Sequence, residues 1–315
     1  MKTLALSLLW LAGLAALGAA IMLGLGGLMF HHLALLGRQL TQIGAAFGAD
    51  VTIFGLGFGA LPGVRASPTN PPKLGPAQAA WAVLGFGALM LAGSLLFANL
   101  LTLEDLVLIA RHRPARVAFG GRGFLLGTVC AGELSAALWV AWVVRRLGPT
   151  HQQDGSASGL ALGPAPAAAY VAAATAALAI IGVVLLLFHF IPPDLARLQN
   201  VPMARLFTGT GWALLPPLVV ALLLAPILEE LVFRGIAFAG IAARFGPISA
   251  AIVTTLLFMA LHAPEKLYYP PGFIDIGLMA MGAAALRLKF RSIRPAILLH
   301  ILYNLGSILA ASWIH

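Results

Sequence analysis

The chain is 315 residues long, 61% of them hydrophobic and only 9% charged, with a formal net charge of +9 at pH 7. An ordinary soluble domain carries about 25% charged residues, and more than half of its exposed area is already apolar, so no water-soluble fold of this length hides so large an apolar fraction. A cytosolic globular enzyme, a disordered chain and a disulfide scaffold are therefore excluded, and with a mean hydropathy of +0.97 the remaining class is a multi-pass membrane protein.

In lipid every backbone N–H and C=O must be paired within the protein, which makes helices the default spanning element. The expected fold is all-α, a polytopic transmembrane helical bundle of about eight spans at about 20 residues each. Uncharged stretches place the spans in order. The first covers Leu4–Phe30; it is too long for a signal-peptide core and is read as an uncleaved helix. The second is Leu74–Leu103 and the third Gly123–Val144, which contains Glu133. The fourth is Ala167–Ile191, the fifth Leu206–Leu228 and the sixth Phe245–His262. The seventh is cleanly apolar only over Ile276–Leu286, behind Pro270, Pro271 and Asp275, and the eighth is Pro295–Ile314.

Two connections are long. Gly37–Lys73 is rich in proline and glycine, and the Gly/Ser/Pro-rich stretch 147–166 reads as a linker. The expected organisation is an N-terminal transmembrane region of about three helices at 1–146, the linker at 147–166, and a C-terminal transmembrane region at 167–315. No internal repeat is visible. The loops Arg111–Arg122 and Arg287–Arg294 each carry four basic residues. Eight spans put them on opposite sides, so the positive-inside rule assigns no orientation. The basic excess lies in short loops between apolar runs, where it faces lipid headgroups. The expected partners are therefore membrane lipids, not nucleic acid. The single cysteine, Cys130, lies in an apolar run and reads as a small buried hydrophobe.

Ionisable groups within apolar helices are costly and mark function by default. Most of them fall in the back half, at helical spacing. In Ala225–Gly235 (APILEELVFRG), Glu230 and Arg234 are four apart and can form an ion pair. Glu229 points about 100° away from Glu230, off that face. Phe258 and His262 are also four apart, with Phe258 read as packing; so are His300 and Asn304 on the last span. Three helices thus each offer a polar stripe: a carboxylate, two imidazoles and a carboxamide that can converge on one cavity. A buried Glu suits a general base that takes a proton from water, and His and Asn can hold that water or donate to an oxyanion. The same Glu and two His, with an open position, are also a known shell for catalytic zinc. HExxH and GxSxG motifs are absent, and there is no pair of intramembrane aspartates.

Taken together, Glu229-Glu230-Leu-Val-Phe-Arg234, Phe258-Met-Ala-Leu-His262 and His300-Ile-Leu-Tyr-Asn304 resemble the EExxxR, FxxxH and HxxxN motifs of the CPBP family. That family comprises the type II CAAX prenyl endopeptidases and their bacterial relatives, also called Abi. The resemblance covers 214–309. It implies an intramembrane endopeptidase in which Glu229 activates water and His262 positions it. His300 and Asn304 form the oxyanion hole, and Glu230 and Arg234 brace the first motif. It implies a peptide or protein substrate at the membrane, lipidated ones included. No cofactor is expected; the alternative is a divalent metal, zinc, held by Glu229, His262 and His300. The Ala/Leu/Gly/Arg-rich composition points to a bacterial plasma membrane. The rival readings are a proton-coupled transporter using Glu133, Glu229 and the histidines, which the missing repeat disfavours, and a catalytically silent scaffold of the same family.

Overall fold

A computed structural model describes residues 74–113, 121–194, 201–207 and 210–313. The expected first span, Leu4–Phe30, and the Gly37–Lys73 connection lie outside these residues. The described protein is all-helical, with 84% helix and no strand among the described residues. Helix α1 is Pro76–Ala110, α2 Arg122–Gln153, α3 Ala167–Phe190 and α4 Pro202–Leu206. A 3-10 turn at Gly211–Leu214 leads into α5 (Leu215–Val219), a π segment (Val220–Leu224), α6 (Ala225–Glu230) and a second π segment (Leu231–Ala237). Then come α7 (Phe238–Leu261), α8 (Ala263–Lys266), α9 (Gly272–Phe290) and α10 (Arg294–Trp313).

Among the described residues four helical runs are long and apolar enough to cross a bilayer: Pro76–Leu101, Arg122–Gln153, Ala167–Phe190 and Gly211–Leu261, with Arg294–Ala310 a shorter apolar helix. The protein is thus an integral membrane protein of helical type. The 211–261 run corrects the fifth and sixth spans. Helix does not stop at Leu228 and restart at Phe245; it runs through Glu229, Glu230 and Arg234 to a corner at Gly246. Counting uncharged residues ends a span at its first charge. Here the charges satisfy one another inside the protein, so the helix continues past them.

The corner is set by Gly246, whose φ of 82° and ψ of 167° fall where only glycine is comfortable. Pro247 follows and starts the return arm. Contacts across the corner pair residues at comparable distances from it: Phe238 shares a core with Ala250 and Ala251, while Phe233 and Arg234 meet Phe258. The run is therefore an antiparallel helical hairpin. Gly246→Ala is expected to cost about 1–3 kcal/mol in backbone strain alone, because an added Cβ meets nothing within 4 Å. A thermal midpoint equal to the parent's, measured in detergent, would contradict this.

The chain divides into two compact units, with boundaries among the described residues inside α1, between Val83 and Leu84, and inside α2, between Trp139 and Val140. The first contains Leu84–Trp139. Its α1 and α2 close on a seam of small residues: Gly85 lies against Trp139, Gly93 against Ser135, Gly127 against Phe97 and Gly132 against Ser94. Such seams let backbones approach when lipid supplies no hydrophobic drive between helices. Ser94 Oγ donates across it to the Thr128 carbonyl at 2.9 Å. Glu133 is buried in this unit.

The second unit holds the described residues of 74–83 and 140–313. Helix α3 turns Ala169, Ala173, Ala177, Ile180 and Val184 inward, one residue per turn, and packs on α9 and α10. Helix α9 presents the fully buried small face Met279, Ala280, Ala283 and Ala284. The stretch that composition marks as a linker is not a free tether. Helix α2 kinks at Gly148, with Pro149 behind it, and residues 154–163 fold back as a strap. Leu160 and Ala161 are fully buried. Ser156 donates its N–H and hydroxyl to Asp154 at 2.8 and 2.7 Å, which holds that carboxyl below the usual carboxylate range.

The strap is fastened by the basic loop that follows α9. Ile293 N–H donates to the Ala161 carbonyl at 2.9 Å, Ser292 Oγ to Gly163 at 2.7 Å and Arg294 Nε to Leu162 at 3.1 Å. Arg291 Nε reaches the Gly155 carbonyl at 3.3 Å, and Arg287 is buried on the same segment. Three of the four basic residues counted at 287–294 thus bind protein carbonyls. Of these, Arg287 is buried, which removes it from the headgroup-facing charge, whereas Arg291 and Arg294 are exposed.

Candidate active site

The first motif lies where the helix leaves α geometry. In the π segment before α6, the amide of Ala225 donates to Val220, five residues back. The next donor in that register is the nitrogen of Pro226, which has no hydrogen, so the Ala221 carbonyl loses its helical partner. Asn304 of α10 supplies it: Nδ2 donates to Ala221 O at 2.8 Å. The π segment after α6 behaves alike. The amide of Phe238 goes to Phe233 and Gly235, and Arg287 Nε donates to the Arg234 carbonyl at 2.8 Å. Such π-bulges are rare and cluster at functional sites. Here they flank Glu229 and Glu230 on both sides and tie the arm to α9 and α10.

Glu230 and Arg234 are fully buried, with Oε1 to Nη1 at 2.9 Å. Arg234 Nη2 donates to the Ala280 carbonyl at 2.9 Å, and its Cζ lies 4.6 Å over the Phe258 ring. The same Glu230 oxygen is 3.0 Å from His300 Nδ1. Since a carboxylate only accepts, the His300 Nδ1 donates. One acid therefore anchors both the guanidinium and the imidazole.

Glu229 turns to the other side of the helix. Its Oε2 is 3.9 Å from His262 Nε2 and 3.8 Å from His300 Nε2. His262 ends α7 with φ −90° and ψ 0°, the bridge region in which active-site residues are often found. Pro264 keeps the helix from continuing normally. The His262 Nδ1 is 3.0 Å from the Phe258 carbonyl, which can only accept, so Nδ1 carries a proton and Nε2 is the nitrogen that faces Glu229. Side-chain exposure falls from 20% at His262 through 10% at Glu229 to 3% at His300 and none at Glu230 or Arg234. The cluster opens on its His262 side and is closed behind.

Phe258, read as packing, does more. Its fully buried ring stacks on His262 at 4.5 Å and meets His300 edge-on at 5.6 Å. It sets both imidazole planes and covers the guanidinium. A further cluster lies beyond His262. Tyr303 donates to Asp275 Oδ2 at 2.6 Å, and Lys266 Nζ is 3.6 Å from the same oxygen. Asp275 thus joins α8, α9 and α10 rather than standing alone beside its prolines. Burial pushes the neighbouring Glu265 carboxyl up from its ordinary value. Tyr303 and Lys266 escaped the sequence reading because they belong to no motif; each sits one turn from a motif residue.

Of the six expected residues, the structure gathers Glu229, Glu230, Arg234, His262 and His300 into one cluster. It places Asn304 one turn further along α10, with one amide hydrogen on Ala221. Among the described residues no group of three or more His, Cys, Asp or Glu side chains is arranged to hold a metal ion.

A carboxylate and two imidazoles converging inside an apolar helical bundle define a membrane protein with a buried polar cluster. Residues 211–306 match the family described as type II CAAX prenyl endopeptidase Rce1-like, so the segment that contains all six residues carries a domain of that family. The resemblance seen in the motifs covered nearly the same stretch. No curated protein and no solved structure matches the chain.

Proposed function

We propose that the chain is an intramembrane endopeptidase that hydrolyses a peptide bond with water activated by Glu229. The observation that supports this best is the approach of Glu229 Oε2 to the Nε2 atoms of His262 and His300, 3.9 and 3.8 Å away, from two different helices. A water between Glu229 and His262 gives one hydrogen to the carboxylate and the other to the Nε2 lone pair. Glu229 takes the first proton as hydroxide adds to the substrate carbonyl, and later passes it to the departing amine. One water is consumed and one C–N bond broken.

The developing oxyanion is met by His300 Nε2–H and by the second amide hydrogen of Asn304. Since His300 Nδ1–H already serves Glu230, donation from Nε2 requires the doubly protonated ring. We read hydrolysis as metal-independent. The substrate is a peptide or protein held at the membrane, lipidated carboxy-terminal segments included, and it reaches the cluster from the His262 side. The arms of the hairpin, α1–α3, α9, α10 and the first span bring the count to about eight spans, in a bacterial plasma membrane. Residues 167–315 form the catalytic region, and 1–146 a transmembrane region ahead of it.

The test is cleavage of an internally quenched, farnesylated peptide ending in a CAAX sequence by the purified full chain in bicelles, with products weighed by mass spectrometry. We expect one new carboxy terminus, and full activity after chelation to verified metal-free protein. Activity lost on chelation and restored by zinc would overturn the metal-independent step. Proton-coupled uptake in proteoliposomes, without cleavage of this or any membrane-fraction protein, would favour the transporter instead.

A further inference from the structure

A buried guanidinium outside the three motifs connects the strap to the catalytic arm. Arg287 is 1% exposed. Its Nη2 donates to the carbonyls of Ser156 and Ala157, each at 3.2 Å, and of Gly159 at 2.5 Å. Its Nε donates to the carbonyl of Arg234 at 2.8 Å, and its Cζ lies 4.3 Å over the Phe238 ring. All four acceptors are backbone oxygens, so these contacts fix chain positions rather than neutralise an acid.

The Arg234 carbonyl is the one whose α-helical donor the π segment diverts. Buried carbonyls need a donor, and Arg287 is placed to provide it at the very residue whose side chain organises the site. From there the contacts run without a gap: Arg234 Nη1 to Glu230 Oε1 at 2.9 Å, and the same oxygen to His300 Nδ1 at 3.0 Å. Any movement of the Arg234 backbone carries the Glu230 oxygen with it and tilts the His300 ring. A guanidinium that served only to hold the strap would need the strap carbonyls alone. This one spends its Nε on the catalytic arm.

We propose that Arg287 is a positioning residue of the hydrolytic site, acting through the Arg234 carbonyl, and that strap residues 154–163 are the abutment that holds it in place. This rests on reading Glu229, His262 and His300 as the hydrolytic set.

The test compares Arg287→Lys and Arg287→Met in the full chain. Lysine has one donor head and reaches the strap carbonyls or the Arg234 carbonyl, not both; methionine fills volume and donates nothing. Three quantities are read: hydrogen exchange at the amides of Leu160–Leu162 and Ile293, the Nδ1–H resonance of His300 in 15N-histidine-labelled protein (assigned with His300→Gln), and kcat and KM for the farnesylated peptide. In both variants we expect the His300 resonance to move and kcat to fall about tenfold or more, with KM within about twofold of the parent. In Arg287→Lys the strap amides stay protected, which separates positioning from undocking of the strap. A folded variant whose His300 resonance and kcat match the parent's overturns the proposal. If Arg287→Met fails to fold, Arg287→Lys carries the test. If the parent itself cleaves no peptide, the hydrolytic reading fails, while the histidine resonance still decides whether Arg287 positions His300.

Discussion

Glu229→Gln is expected to lower kcat for the quenched peptide by about 10³-fold, the scale of a lost general base, with the unfolding temperature in detergent unchanged. Glutamine has the volume and reach of glutamate, and the buried ion pair does not involve this side chain. What it lacks is the ability to accept a proton from water and return it to the amine. KM should stay near the parent value, because the carboxylate acts on water rather than on the substrate's flanking residues. Glu229→Asp is a second arm. It keeps the acid but draws the oxygens back by one methylene, and misplacement on that scale costs about 10²-fold. A Glu229→Gln protein that cleaves as fast as the parent would end the mechanism, whatever the family of the domain.

Arg234→Met should be the most destabilising single change in the cluster. It leaves the Glu230 carboxylate with 0% exposure and His300 as its remaining anchor, and stripping one partner from a buried pair costs about 3–5 kcal/mol. The double change Glu230→Gln with Arg234→Met removes both charges and is expected to recover most of that loss, since well-packed neutral replacements of buried ion pairs are often neutral or better. Activity should not recover with it. His300 then has no carboxylate to hold its Nδ1–H, and the oxyanion donor is no longer aimed. Thermal unfolding and kcat, measured on the same preparations, check both halves. Recovery of kcat together with stability would show that Glu230 and Arg234 serve the fold alone.

These outcomes depend on features of very different legibility. Periodicity of four placed Glu230 with Arg234, Phe258 with His262 and His300 with Asn304, because an α-helix brings such residues onto one face regardless of what surrounds it. That is local geometry, and it also predicted that Glu229 would point elsewhere. The helical class and the membrane setting followed from composition alone. The boundaries of α3 and α10 lie within a residue of the uncharged stretches, since there no charge interrupts the helix, whereas α1 runs on past Leu103 through Glu104 and Asp105.

Where charges are satisfied internally, hydropathy fails. Leu228 looked like the end of a span because the partners of the next residues, His300 and the Ala280 carbonyl, are remote in sequence. The strap looked like a tether because glycine, serine and proline mark irregular backbone equally whether that backbone is free or docked. Arg287 looked like headgroup-facing charge because a basic loop carries no sign of the carbonyls it will meet. The π segments left no trace beyond Pro226, although they create the two carbonyls that bind Asn304 and Arg287. Composition and helical spacing thus settled the class of fold and the membrane setting and put the paired motif residues on common helix faces, which depend on neighbours within one or two turns. Which nitrogen of His300 faces Glu229, which side of the cluster is open and what braces it from behind came from packing, since they depend on contacts between residues remote in sequence, such as the 70 positions separating His300 from Glu230 and the 128 separating Arg287 from Gly159.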